Sequence, residues 1–187
     1  MPADELTVAP GRSGPRRRLV VLVVVLTVVV LLVDQATKAW ALTHLLDTVR
    51  RPLVGDLLGL RLVFNPGAAL SIATGMTWVL TLIACAVVVV VVRVSRRLGS
   101  TGWAIALGLL LGGALGNLVD RMIREPGIAR GHVIDFIAYA NVFVGNVADI
   151  AIVTAAGLVV IQALRGVRLD GTREHAEPKT EAPGADA

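Results

Sequence analysis

The chain has 187 residues, of which 55% are hydrophobic and 17% charged, with a mean hydropathy of +0.75. Soluble domains use roughly 45–50% apolar residues, so the composition excludes that class and indicates a membrane protein of one compact domain. A net charge of +4 and a pI near 10.2 would admit nucleic acid, but the arginines sit in short clusters beside apolar runs and form no basic, aromatic face, so no nucleic-acid partner is expected.

Residues 1–18 form an N-terminal tail whose Pro, Gly and charge content predicts disorder. The first span is predicted over residues 19–39. Its run VVLVVVLTVVVLLV is β-branched and a poor intrinsic helix former, yet in lipid a lone segment satisfies its backbone only as a helix. Arg16–Arg18, the run Leu19–Val33 and Ala39-Trp40-Ala41 also have the layout of a cleavable signal peptide. Three further spans follow, and Asp34 and Lys38 continue the helical spacing, which favours an uncleaved helix. Lys38 is four residues after Asp34, the spacing of an intrahelical ion pair that fixes the end of the span.

Between residues 41 and 71, RPLVGDLLGLRLVFNPGAALS is too punctuated by Gly and Pro to cross a membrane and reads as short strands and turns. Its NPGAALS is either a turn before the second span or a backbone wall for an extended peptide, with Asn65 hydrogen-bonding it and Gly67, Ala68 and Ala69 allowing close approach. The second span is predicted over residues 72–92 and contains the single cysteine, Cys85, which is expected to pack. The third covers residues 103–121. There Asn117 and Asp120 share a helical face and Arg121 lies four residues after Asn117, offering an acid, an amide and a guanidinium together. The alternative for Asp120 and Arg121 is a simple interfacial ion pair at the close of the span.

Residues 122–146 are predicted to be an irregular connection whose VIDFIAYANVFV lies along the membrane surface. It holds His132, either a surface residue or a helper, and Asp135, an acid in an otherwise apolar stretch. With no second His or Cys at ligand spacing, no metal or other cofactor is expected. The fourth span, residues 147–164, is preceded by Asn146, which with Asp149 repeats the three-residue spacing. N-capping explains Asp149 as well as chemistry does, but leaves Asp135 unexplained. Residues 169–187 are a second polar tail, with His175 solvated.

Orientation follows from the basic residues. Arg12, Arg16, Arg17, Arg18, Arg93, Arg96, Arg97, Arg165, Arg168, Arg173 and Lys179, eleven of eighteen Lys and Arg, fall on one side if both termini are cytoplasmic. Trp40, Trp78 and Trp103 then lie near span ends. Asp34, Asp120, Asp135 and Asp149 all reach the outer leaflet, marking one shallow site. An ionisable group at mid-membrane costs roughly 2.5–3.5 kcal/mol, so such acids are kept for a reason. A transporter would distribute them through the membrane depth; a scaffold would make them dispensable.

Five blocks, DQATK, NPGAALS, GGALGNLVDR, GHVIDF and GNVADI, together resemble the bacterial lipoprotein signal peptidase family, signal peptidase II, over residues 19–164. The resemblance implies an all-α polytopic membrane aspartic peptidase over residues 19–168. Its four transmembrane helices would carry a small extracytoplasmic β-rich cradle and an amphipathic outer segment. It implies Asp135 and Asp149 as the catalytic pair, supported by Asp34, Lys38, Asn65, Asn117, Asp120, Arg121 and Asn146. The implied substrates are diacylglyceryl-prolipoproteins, cut on the N-terminal side of the lipidated Cys by a protein of the bacterial cell membrane, among membrane lipids and as a monomer. Leu70 and Gly145 stand where the family usually has Phe.

Overall fold

The computed structural model describes residues 14–46, 49–67, 77–140 and 142–173. In chain order these form α1 (Pro15–His44), β1 (Arg51–Val54), β2 (Leu58–Asn65), α2 (Thr77–Ser95), α3 (Thr101–Ile123), β3 (Val133–Tyr139), β4 (Phe143–Gly145) and α4 (Val147–Leu164). Each of the four helices is long and apolar enough to cross a membrane. Their outward residues, such as Val21, Val28, Leu32, Leu82 and Val153, are exposed in the isolated chain, as lipid-facing positions must be.

α3 is the central helix, and its glycines explain how. Gly108, Gly112 and Gly116 recur every fourth residue and face α1. A Cβ at Gly112 would stand 2.6 Å from Val30 Cβ, and one at Gly116 would stand 2.5 Å from the Asp34 carboxylate. On the neighbouring face, a Cβ at Gly113 would meet the Ala148 carbonyl oxygen of α4 at 2.6 Å. Small residues let helix backbones approach in lipid, where dispersion rather than hydrophobicity drives association.

α1 begins four residues before and ends five after the span read from sequence, and its 30 residues measure about 45 Å at 1.5 Å per residue. Its final turns form a seat: Ala41 and Leu45 pack with Leu62, Ile134 and Phe136 in a buried cluster that carries the sheet. The sheet is antiparallel in the order β1-β2-β3-β4. Val63 pairs with Asp135, Asn65 with Val133 and Ile137 with Gly145, and a bulge interrupts β2 between Leu60 and Val63.

Residues 133–144 thus correct the expectation of an irregular, surface-lying stretch: they supply β3 and part of β4. β3 is buried along both faces, so its apolar residues run on without the alternation that marks a half-exposed strand. The amphipathic part of this connection lies earlier, where exposed Ile123 and Ile128 neighbour Arg124 and Arg130. Cys85 also departs from expectation, since it sits exposed on the perimeter of α2. At the opposite end of the bundle, the start of the expected tail turns back onto the connection between α2 and α3. Gly99 N donates to the Leu169 carbonyl at 2.8 Å, and Trp103 Nε1 to that of Val167 at 2.8 Å.

Candidate active site

α1 places Asp34 and Lys38 one turn apart, both fully buried. The expected ion pair forms, with Lys38 Nζ 2.7 Å from Asp34 Oδ2, but it is half of a larger arrangement. The same ammonium lies 2.7 Å from Asp120 Oδ2 on α3 and donates to Asn117 Oδ1 at 3.0 Å. Lys38 is therefore an inter-helix hub and not only a local tie. Each acid finds further donors. Asp34 Oδ1 accepts from Ala148 N at 2.9 Å, setting a negative charge at the start of α4, and Asp120 accepts from Arg124 Nε at 2.6 Å and from Ile134 N at 3.3 Å. Buried charges persist only when paired and hydrogen-bonded, and this network meets that condition while joining α1, α3, α4 and β3.

Above it stand the two remaining acids. Asn146 and Asp149 make a reciprocal capping box: Asn146 Oδ1 accepts from Asp149 N at 3.1 Å, and Asp149 Oδ2 accepts from Asn146 N at 3.0 Å. The Asn146 amide then donates to Asp135 Oδ1 at 2.7 Å, reaching from the cap of α4 to β3. Asn117 Nδ2 donates to Asp149 Oδ1 at 3.1 Å, and Asn65 Nδ2 to Asp135 Oδ2 at 2.8 Å. The capping reading of Asp149 is realised, and the same carboxylate lines a cavity with Asp135.

Asp135 and Asp149 line one cavity of about 240 Å³ together with Asn65, Gly67, Asn117 and Arg121. Arg121 makes no ion pair with Asp120; its Nη2 donates to the Gly67 carbonyl at 2.9 Å and fixes the turn after β2. Its Nη1 is buried without a partner among the described residues. Gly67 N in turn donates to Asn65 Oδ1 at 2.9 Å, which orients that amide toward Asp135. Burial, and next the charge of Asp149, raise the Asp135 carboxyl from its ordinary 3.8 to about 7, against the opposing hydrogen bonds of Asn65 and Asn146. Ala68, Ala69 and Leu70 lie outside the described residues. His132 borders a different cavity, with Trp78 and Arg130, and does not meet Asp135 there.

Three participants escaped the sequence reading. Gln35 donates to Asp34, to Asp120 and to the Gly116 carbonyl, and Arg124 pairs with Asp120; the second was detectable as an i, i+4 partner. Phe143 lines the cavity of Asp135 and Asp149, and the missing side chain of Gly145 makes room for it: a Cβ there would lie 2.7 Å from the Phe143 ring and 2.8 Å from Asp149 Oδ2.

A family model described as Signal peptidase (SPase) II matches residues 26–165. The chain belongs to the signal peptidase II family. It is 52% identical over 147 residues to the lipoprotein signal peptidase of Rhodococcus jostii (strain RHA1), covering 79% of this chain and 74% of that protein. With the lipoprotein signal peptidase of Mycolicibacterium smegmatis it shares 46% identity over 190 residues, covering 98% and 80% respectively. A bacterial membrane enzyme solved by the in meso method at 2.3 Å resolution superposes with a TM-score of 0.69 at 24% identity, over 83% of this chain and 94% of that one, a likeness of fold. The chain is accordingly a multi-pass membrane peptidase of this family.

Proposed function

We propose that this signal peptidase II family member is an aspartic endopeptidase that removes signal peptides from diacylglyceryl-modified prolipoproteins, cutting on the N-terminal side of the lipidated Cys. The observation that carries the reading is a pair of acids, buried Asp135 from a strand and half-buried Asp149 from a helix, bordering one cavity and held by a shared asparagine. Two neighbouring carboxyls resist double ionisation, so the pair retains a proton that belongs to both. The carboxylate member takes a proton from water as that water's oxygen adds to the scissile carbonyl, while the protonated member donates to the carbonyl oxygen. Collapse of the tetrahedral intermediate breaks the C–N bond, and the dyad delivers a proton to the leaving amine.

Asn65, Asn117 and Asn146 hold the carboxyls in place, and the unspent Nη1 of Arg121 is a donor for a substrate carbonyl. The Arg distribution supports cytoplasmic termini, with a tail at each end of the peptidase domain, and a dyad at the outer leaflet. One chain supplies the whole site, which suits a monomer. A diacylglyceryl anchor would hold the scissile bond at that height, each buried methylene adding about 0.8 kcal/mol of partitioning.

Turnover per folded molecule, measured on one lipobox peptide with and without the diacylglyceryl thioether, tests the reading. Asp135→Asn and Asp149→Asn keep volume but lose proton exchange, and each is expected to abolish cleavage in a folded protein. Near-wild-type activity in either variant would reject the dyad. Equal rates for the two peptides would leave a peptidase that does not read the lipid.

A further inference from the structure

A second cavity, of about 300 Å³, opens beside the catalytic one and shares Asn65, Asp135 and Phe143 with it. It runs over the sheet, and its far end is lined by two guanidiniums, Arg50 and Arg61. Arg50 is held in place: its Nη2 donates to the Asp56 carbonyl at 2.9 Å, and its stem crosses Gly59, where a Cβ would meet Arg50 Nε at 3.1 Å. Among the described residues its Nε is buried without a partner, and the one carboxylate near it, that of Asp56, is 3.8 Å away and fully exposed. Arg61 is exposed and has no partner among the described residues. Among the described residues Asp135 is the only acid on the cavity wall, so the lining is acidic at the dyad end and cationic at the other.

We infer that this cavity is a subsite for the substrate segment that follows the lipidated Cys, and that Arg50 and Arg61 select negatively charged side chains there. The inference rests on the proposed peptidase function. A signal sequence is apolar and stays with the bilayer, whereas the chain beyond the cut enters water, and the sheet stands past the helix end at Ala41 and Leu45. Asp135 pairs with Val63, and Arg61 is two residues back along β2, about 7 Å at 3.3 Å per residue. An extended peptide leaving the dyad therefore presents its second to fourth residues after the Cys to the guanidiniums. Membrane phosphates would suit the same donors, but the cavity joins the catalytic wall and not the lipid-facing perimeter of the helices.

The test uses the full chain in phosphatidylcholine nanodiscs at low salt, with diacylglyceryl peptides identical except for Glu, Gln or Lys at the second to fourth positions after the Cys. Partly exposed ion pairs predict that the Glu peptide exceeds the Gln peptide by about two- to fivefold in kcat/KM, mainly through KM, and that the Lys peptide falls below both. High salt should narrow the spread. Arg50→Gln/Arg61→Gln should flatten the series and Arg61→Glu should reverse it; the exposed Arg61 is replaceable without disturbing the fold. A flat series in the wild type, or an unchanged preference in the double variant, would overturn the subsite. So would rates indifferent to peptide charge that rise with phosphatidylglycerol in the wild type alone, because the guanidiniums would then be reading lipid phosphate. Failure of the wild type to cut any of the three peptides would instead overturn the peptidase reading on which the subsite depends.

Discussion

Lys38→Met should destabilise the bundle far more than an ordinary substitution of a lysine. The ammonium touches Asp34 and Asp120 at 2.7 Å each, and none of the three side chains is exposed. After its removal Asp120 keeps Arg124 at 2.6 Å, but Asp34 keeps only neutral donors, the Ala148 N–H at 2.9 Å and the Gln35 amide at 3.2 Å. Removing one partner of a buried pair costs about 3–5 kcal/mol, because the other charge stays desolvated. At about 2–4 °C per kcal/mol for a chain of this size, the thermal midpoint in detergent should fall by roughly 10 °C, followed through Trp40, Trp78 and Trp103 fluorescence. Lys38→Met/Asp34→Asn should regain much of that loss, since removing both charges costs less than stranding one. Equal losses in the single and double variants, or no loss in the single, would refute the account of Lys38 as a shared counter-ion.

Asp135 sits well above its ordinary value, at about 7, so its contribution to stability is full below about pH 4 and is lost as pH rises through 7. The thermal midpoint should fall across that window, Asp135→Asn should flatten the slope, and kcat/KM should decline above about pH 7 as the dyad loses its proton. A midpoint that rises over the same range would contradict this. Gly112→Leu should cost about 1–3 kcal/mol by forcing α1 from α3, while Gly157→Leu, where a Cβ would meet nothing within 4 Å beyond its chain neighbours and its own helix backbone, should leave the midpoint unchanged. Orientation is checked by impermeant thiol labelling in a Cys85→Ala background. Cysteines at Asp56 or Gly127 should react from outside and one at Arg97 only after permeabilisation, and the reverse pattern would place the dyad on the cytoplasmic side.

The four spans were legible because long apolar runs admit no other structure in lipid. The acids stood out because they interrupt such runs. The first span is nonetheless read only to residue 39, whereas α1 continues to His44, and its charges Asp34 and Lys38 neutralise each other and Asp120 inside the protein. Local spacing shows a residue its partner on the same helix; the Lys38–Asp120 contact joins residues 82 positions apart and leaves no periodic trace. β3 was hidden for the opposite reason, because burial on both faces erased its alternation. Asn146 shows why alternatives weighed singly mislead. One side chain offers an oxygen and an amide group, so it caps a helix with the first and holds Asp135 with the second.

That cap also governs when the enzyme comes into being. Asp149 and Asn146 belong to the last of the four helices to leave the ribosome, and α4 is seated by an acid from the first, through Ala148 N and Asp34. A nascent chain that has made α1 to α3 and even Asp135 therefore holds only one carboxyl of the proposed pair. On the proposed mechanism, activity arrives only when the C-terminal span inserts and closes the circle with the N-terminal one, so a truncated or half-inserted product would be inert by construction.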